Sequence, residues 1–162
     1  MESDFNSGGI SGAIIDVYSK EALKHAELYY EEIRKMNTDV IKISKNTNFS
    51  LIQIQLVKDY LFMNEHNLGK EYKRFDPSFA IAESWKRLAF DKQNIQQHDI
   101  TLIKHELKEI SLVAAGVPQD KAHEVASDIY NYSSESTAYY KKLNVNKNHN
   151  KNITGGYYEY RL

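Results

Sequence analysis

The chain has 162 residues, 41% hydrophobic and 27% charged, with 21 Lys plus Arg against 22 Asp plus Glu, a formal net charge of −1 and no cysteine. That length fits one domain able to bury roughly two thirds of the surface its unfolded form exposes, so folding needs neither metal nor disulfide. The near-neutral charge argues against a protein that coats DNA, which needs a cationic surface to displace counterions, while a nuclease with a locally basic cleft remains allowed. The lack of cysteine removes thiol nucleophiles, thiolate metal sites and disulfide frameworks, leaving His, carboxylates, Lys, Arg, Tyr and hydroxyls to carry any chemistry.

The opening "MESDFNSGGISGAII" has acids where a secretory signal is positive and glycines where it is apolar, and no apolar run approaches the ~20 residues of a membrane span. Only two prolines and seven glycines, most of them near the ends, leave long stretches free of helix breakers. The expectation is one all-α domain over 1–162, a bundle of about five to six helices. Within it, 1–18 is a junction segment, 19–143 the helical core, and 144–162 a polar linker with a strand-like tail.

In chain order, "KEALKHAELYYEEIRKM" (Lys20 to Met36) carries Leu23, Ala26, Tyr30 and Ile33 at helical spacing behind Ser19 as N-cap. Val40, Ile41 and Ile43 mark a short helix that ends at the Asn46 to Asn48 turn. Ser50 then caps another carrying Ile52, Ile54, Leu56, Val57, Tyr60 and Leu61. Such a pair has the outline of a helix-turn-helix reader, but its second helix offers only Lys58 and no arginine, so a core hairpin is favoured.

"NEHNLGKEYKRFDPSF" reads as a loop, with Asp76 and Pro77 starting a helix that turns Phe79, Ala82 and Leu88 inward and holds the sole tryptophan, Trp85. Next comes "HDITLIKHELKE", a helix running to Ala115 and stopped by Gly116. Pro118 opens a last long helix to Leu143, tyrosine-rich in its second half. "NVNKNHNKN" reads as a linker, and "YYEYRL" as an edge strand that pairs with "GAIIDVY" in a small two-stranded sheet.

At roughly 100° per residue, Ile100, Ile103, Leu107, Ile110 and Ala114 form a core stripe. His98, His105 and Glu109 fall together on the other side, flanked by Leu102, Leu112 and Val113. A helix covered on both sides follows, with that row in a cleft or at a partner surface. His105 with Glu109 is either an ordinary (i, i+4) pair or an acid–base couple, since imidazole titrates near neutrality and a carboxylate one turn away orients it. "HELKE" also has the outline of the zinc-protease signature with Glu109 in place of the second histidine, so a His and carboxylate metal site stays open. Glu106 lies nearer the core and wants a cationic partner. Arg87 either pairs with Glu83 or stabilises phosphoryl charge, and Lys73 and Arg74 form a local basic cluster beside His66. Tyr130 and Tyr132 have faces that suit either unpaired bases or a protein interface.

The run from "YYEEIRKMNTDVIKISKNTNFS" through "KRFDPSFAIAESWKRL" and "HDITLIKHELKE" to "AHEVASDIYNYS" resembles the C-terminal toxin domain of bacterial polymorphic toxins, also found fused to phage head proteins. The pieces "RFDP", "SWKRL", "HD", "KHEL" and "YNY" carry the likeness by their order, over roughly Tyr29 to Leu143. The matching positions are Arg74, Asp76, Ser84, Trp85, Arg87, His98, Asp99, His105, Glu106 and Tyr132. The resemblance implies an interbacterial competition toxin, delivered by a larger secreted carrier polypeptide, acting in the target-cell cytoplasm and neutralised by a cognate immunity protein.

The favoured expectation is an RNase, with RNA or tRNA as substrate and no metal or other cofactor. His105, helped by His98 or Glu109 and with Glu106 beside it, handles protons and Arg87 or Arg74 stabilises the charge, while Arg74, Lys73, Trp85 and Tyr132 bind substrate. The alternatives are a metal-dependent DNase toxin and a non-enzymatic helical module that binds a protein.

Overall fold

Serines 19, 50 and 78 each start a helix by accepting a backbone N–H from the first turn, at Ala22, Gln53 and Ile81 respectively. An N-terminal turn leaves its first amides without partners, so a hydroxyl placed there fixes where the helix begins. At Ser50 the Gln53 side chain reaches back to the cap amide and completes a capping box. Asp76 and Pro77, expected to start the third of these helices, stand just before it; Asp76 instead pairs with Lys73 at 3.1 Å.

The computed structural model describes residues 16–153, and the chain is all-α with a small antiparallel sheet. The helices are α1 (Lys20–Lys35), α2 (Asp39–Asn46), α3 (Leu51–Lys58), α4 (Phe79–Phe90), α5 (Gln97–Ala114), α6 (Gln119–Ile129) and α7 (Tyr132–Ile153). After α3 the chain widens into a π turn, Asp59–Met63, closed by Asn64 N–H donating to the Asp59 carbonyl at 2.8 Å. Strands β1 (His66–Asn67) and β2 (Tyr72–Lys73) pair His66 with Lys73 and Asn67 with Tyr72. The hairpin turns at Gly69, whose φ of +92° only glycine adopts without strain. The sheet therefore forms within the expected loop. The expected pairing of the two terminal segments involves residues outside those described.

Two further differences concern the last third. The single helix expected from Pro118 to Leu143 breaks at Tyr130 and Asn131, because Asn131 caps a new helix by accepting the Ser134 N–H at 3.0 Å. Helix α7 then continues through the stretch read as a linker, as far as Ile153. The end of α5 is as expected: Gly116 sits at φ +94°, and Val117 N–H donates to Leu112 O at 3.0 Å. That is a Schellman closure, and it turns the chain straight into α6.

The core is centred on Trp85, wholly buried, with Phe62 edge-on at 5.1 Å and Tyr30 edge-on to Phe62 at 4.8 Å. Ile33, Ile43, Ile54, Leu88, Leu102 and Ile103 close around them. Helix α4 packs on α1, α2 and α5, and α5 also meets α3, α6 and α7. The leucines on both flanks of α5 are explained by that position, since a helix with neighbours on several sides has no fully wet face. Leu23, Ile41, Ile52 and Leu56 depart from their expected inward placement and are exposed, because α1, α2 and α3 each cover only one side. Lys58, the one basic residue of the supposed DNA-reading helix, is buried against Asp39 at 2.9 Å.

Candidate functional site

Helix spacing puts His105 and Glu109 one turn apart on α5, and the turn at Gly116 brings α6 alongside. Ala122 and Ala126, both fully buried, let α6 approach closely, and His123 lies between them in sequence. The approach closes a triangle: His105 Nε2 to Glu109 Oε2 is 3.0 Å, His123 Nδ1 to the same oxygen 3.2 Å, and the two ring nitrogens stand 3.3 Å apart. His105 and Glu109 are buried, whereas the His123 side chain is 57% exposed, so the cluster opens outward on the α6 side.

Each deeper group is held by its surroundings. The break before α7 leaves the Tyr130 carbonyl facing α5, where it accepts the Nδ1–H of His105 at 3.0 Å. Glu109 Oε1 accepts from the Tyr60 hydroxyl and from Gln119 Nε2, both at 2.8 Å. Burial alone would raise the Glu109 carboxyl, but hydrogen bonds from His105, His123, Gln119 and Tyr60 outweigh it and hold the group well below the usual carboxylate range. His123 is raised from its ordinary value, chiefly by its hydrogen bond to Glu109. Tyr60 is raised by burial and by Glu109, so it stays a phenol and donates. Its backbone carbonyl accepts from His66 Nε2 at 2.7 Å, and the His66 ring stacks on Phe75 at 4.2 Å, tying the β hairpin to this corner.

Glu106 is the remaining acid. It is 6% exposed, with Oε1 4.0 Å from His105 Nε2, and burial followed by the charge of Glu109 raises its carboxyl well above the ordinary value. Among the described residues, the side chain found within ion-pair distance of Glu106 is His105, in place of the lysine or arginine that a buried acid calls for.

The row expected on α5 divides in two. His98 lies seven residues before His105, about 10 Å along the axis, and joins a different cluster. There Arg87 donates through Nε and Nη2 to both oxygens of the wholly buried Asp99, at 2.8 and 2.9 Å. Nη2 also meets His98 Nε2 at 3.1 Å, and the guanidinium lies over the Tyr139 ring at 5.3 Å. Asp99 in addition accepts the Gln96 amide at 2.8 Å and so caps α5. Arg87 is therefore committed to Asp99, neither to the Glu83 pair considered for it nor to an approaching phosphate. Glu83 faces His25 across 3.5 Å in the interior.

The expected binding residues also separate. Trp85 has no accessible surface, and its indole N–H donates to Asp39 at 3.0 Å, so it supports the core and cannot touch a substrate. Tyr132 is buried with its hydroxyl 2.8 Å from Ser84 Oγ, which leaves no free face for a base. Lys73 is shared between Asp76 and Glu71, at 3.1 and 3.6 Å, and Arg74 donates to the Met63 carbonyl at 3.1 Å. Lys73 is thus balanced by two carboxylates, while Arg74 keeps its charge at the surface.

Gln119 and His123 are absent from the expected site residues, and Tyr60 is expected only on an apolar helix stripe. The available signal was His123 set in "KAHEVAS", where alanines on either side mark a close helix–helix approach. Burial followed by the Arg87 charge lowers His98 against the pull of Asp99. The sign follows: the neutral ring is the one that fits, so its contribution is complete above the unfolded value near 6.5 and is lost as pH falls below it. An NMR titration should find the His98 ring titrating below 6.5; a value above 6.5 would contradict the Arg87 contact. Comparison of the chain with protein-family models, with curated proteins and with solved structures finds no match in any of the three.

Proposed function

We propose that the chain is a hydrolase reacting at the His105, Glu109 and His123 centre and, on the strength of the toxin resemblance, a nuclease module of interbacterial competition. The observation that carries this is the convergence of two imidazoles and a carboxylate at an opening, with the two deeper groups held in place by Tyr60, Gln119 and the Tyr130 carbonyl. Ionisable groups with shifted proton affinities that meet at an opening mark a place where protons can be handled. RNA is the favoured substrate and DNA the alternative. A cognate immunity protein and a larger carrier belong to the same reading.

The reacting roles pass from the expected set to a narrower one. His105 and Glu109 stay, His123 joins them, and His98 and Arg87 become supports of the fold. Glu109→Gln keeps the shape of the side chain while removing its charge. It should lower the rate of RNA or DNA cleavage by about a hundredfold, in line with the loss of one acid–base or charge-stabilising group. Growth of a bacterium expressing the variant should recover correspondingly. If folded wild-type protein cleaves neither nucleic acid, the nuclease assignment is wrong; if Glu109→Gln cleaves like wild type, the centre is.

A further inference from the structure

We propose that His105 Nε2, Glu109 Oε2 and His123 Nδ1 form a three-ligand site for a divalent transition-metal ion of the zinc class, with its remaining position open beside the exposed His123. Zinc sits at about 2.0–2.2 Å from such nitrogen and oxygen ligands in a tetrahedral arrangement, which sets neighbouring donor atoms roughly 3.3 Å apart. The three separations here, 3.0, 3.2 and 3.3 Å, describe one face of that tetrahedron.

Hydrogen bonds alone account for the same triangle poorly. His105 gives its Nδ1 proton to the Tyr130 carbonyl, because a carbonyl can only accept, and in the neutral ring Nε2 is then a bare lone pair. That lone pair points at a carboxylate oxygen 3.0 Å away and at the ring nitrogen of His123. With protons alone, either His105 is doubly protonated and its Nε2–H faces the His123 Nδ1–H across 3.3 Å, or it is neutral, accepts from His123 and meets the Glu109 oxygen lone pair to lone pair at 3.0 Å. One cation at the apex satisfies all three donors at once.

The surrounding contacts have the form that metal ligands take. A ligating histidine donates its other N–H to a carbonyl, as His105 does to Tyr130, and a ligating carboxylate is itself hydrogen-bonded, as Glu109 is by Tyr60 and Gln119. Two imidazoles favour zinc and its neighbours over magnesium or calcium, which take oxygen ligands.

Metal binding itself does not depend on the hydrolase reading, but its catalytic use rests on that reading. An ion here supplies the positive charge the cluster lacks and acidifies a bound water. With an ion bound, the water oxygen would bond to phosphorus as the ester P–O bond breaks, and the proton of the water would pass to the departing oxygen. A groove of about 340 Å³, lined by His66, Asn67, Val117 and Gln119, adjoins the centre through Gln119, which bonds Glu109.

The test uses the untagged chain, stripped with a chelator and titrated with cobalt(II), whose tetrahedral complexes absorb in the visible. One ion per chain should bind at micromolar or lower concentration and be displaced by zinc. His123→Ala, on the exposed side, should keep the helical circular dichroism and weaken binding at least a hundredfold, and Gln119→Ala about tenfold or more. Absence of stoichiometric binding, or equal binding by folded His123→Ala, overturns the site. Chelator-resistant cleavage without binding would leave the hydrolase reading standing and remove the metal. Binding with no cleavage of RNA or DNA would do the reverse.

Discussion

Asp39→Ala should destabilise the protein by about 3–5 kcal/mol, because it leaves the Lys58 ammonium buried without its counter-charge. Asp39 has no accessible surface; its Oδ1 accepts from Lys58 Nζ at 2.9 Å and its Oδ2 from the Trp85 indole at 3.0 Å. Lys58 is 5% exposed and also donates to the Met36 carbonyl at 2.8 Å. Removing the carboxylate therefore leaves the ammonium without its counter-charge and the indole N–H without its acceptor. The apparent melting temperature should fall by on the order of 10 °C, which thermal unfolding followed by circular dichroism would measure. Asp39→Asn, which keeps an acceptor but not the charge, should lose less. A loss below about 1 kcal/mol for the alanine variant would mean that Lys58 escapes to solvent, contrary to the packing of α2 against α3.

Asp99→Ala should cost a similar amount, about 3–5 kcal/mol, since it removes both acceptors of the Arg87 fork. The same side chain caps α5, whose first turn would fray with it. The informative partner is Arg87→Ala. Were Arg87 a charge stabiliser in the reaction, that variant would lose activity per folded molecule. Here it should lose stability, while cleavage well below its melting temperature stays within about tenfold of wild type. Separate stability and cleavage measurements on Arg87→Ala decide the matter, and a hundredfold loss of cleavage in well-folded protein would return Arg87 to the reacting centre.

Burial explains why several chemically promising residues of the sequence are structural. A lone tryptophan, a scarce arginine and an acid beside a histidine look alike whether they meet a substrate or one another. Trp85 with Asp39, and Arg87 with Asp99, turn out to be polar contacts that let charged or hydrogen-bonding groups sit inside a packed bundle. His105 and Glu109 differ because their remaining partner, His123, is at the surface, so the pair ends at an opening and not in the core.

Local order was legible from the residues alone. Ser19 and Ser50 as caps, Gly116 as the stop of α5 and the 3.6-residue period of the apolar positions involve neighbours within one or two turns, and the physics that fixes them is equally local. Flanking leucines likewise foretold that α5 would be covered on more than one side. The break at Asn131 and the hairpin at Gly69 were less visible, since an asparagine or glycine that starts a turn competes with neighbouring residues that favour helix or loop.

What only the tertiary structure decided is which of these elements meet. His123 stands fourteen residues after Glu109 and Tyr60 forty-nine before it, and no period in the sequence links them. Their meeting depends on the angle at which α6 folds back and on the π turn that carries Tyr60 toward α5. The same packing sent His98 to Arg87 and His105 to Glu109, although one helix face holds both histidines. Sequence determines the face of a helix because side chains recur every 3.6 residues; it does not reveal the neighbour, because that is chosen by non-local burial of the whole bundle.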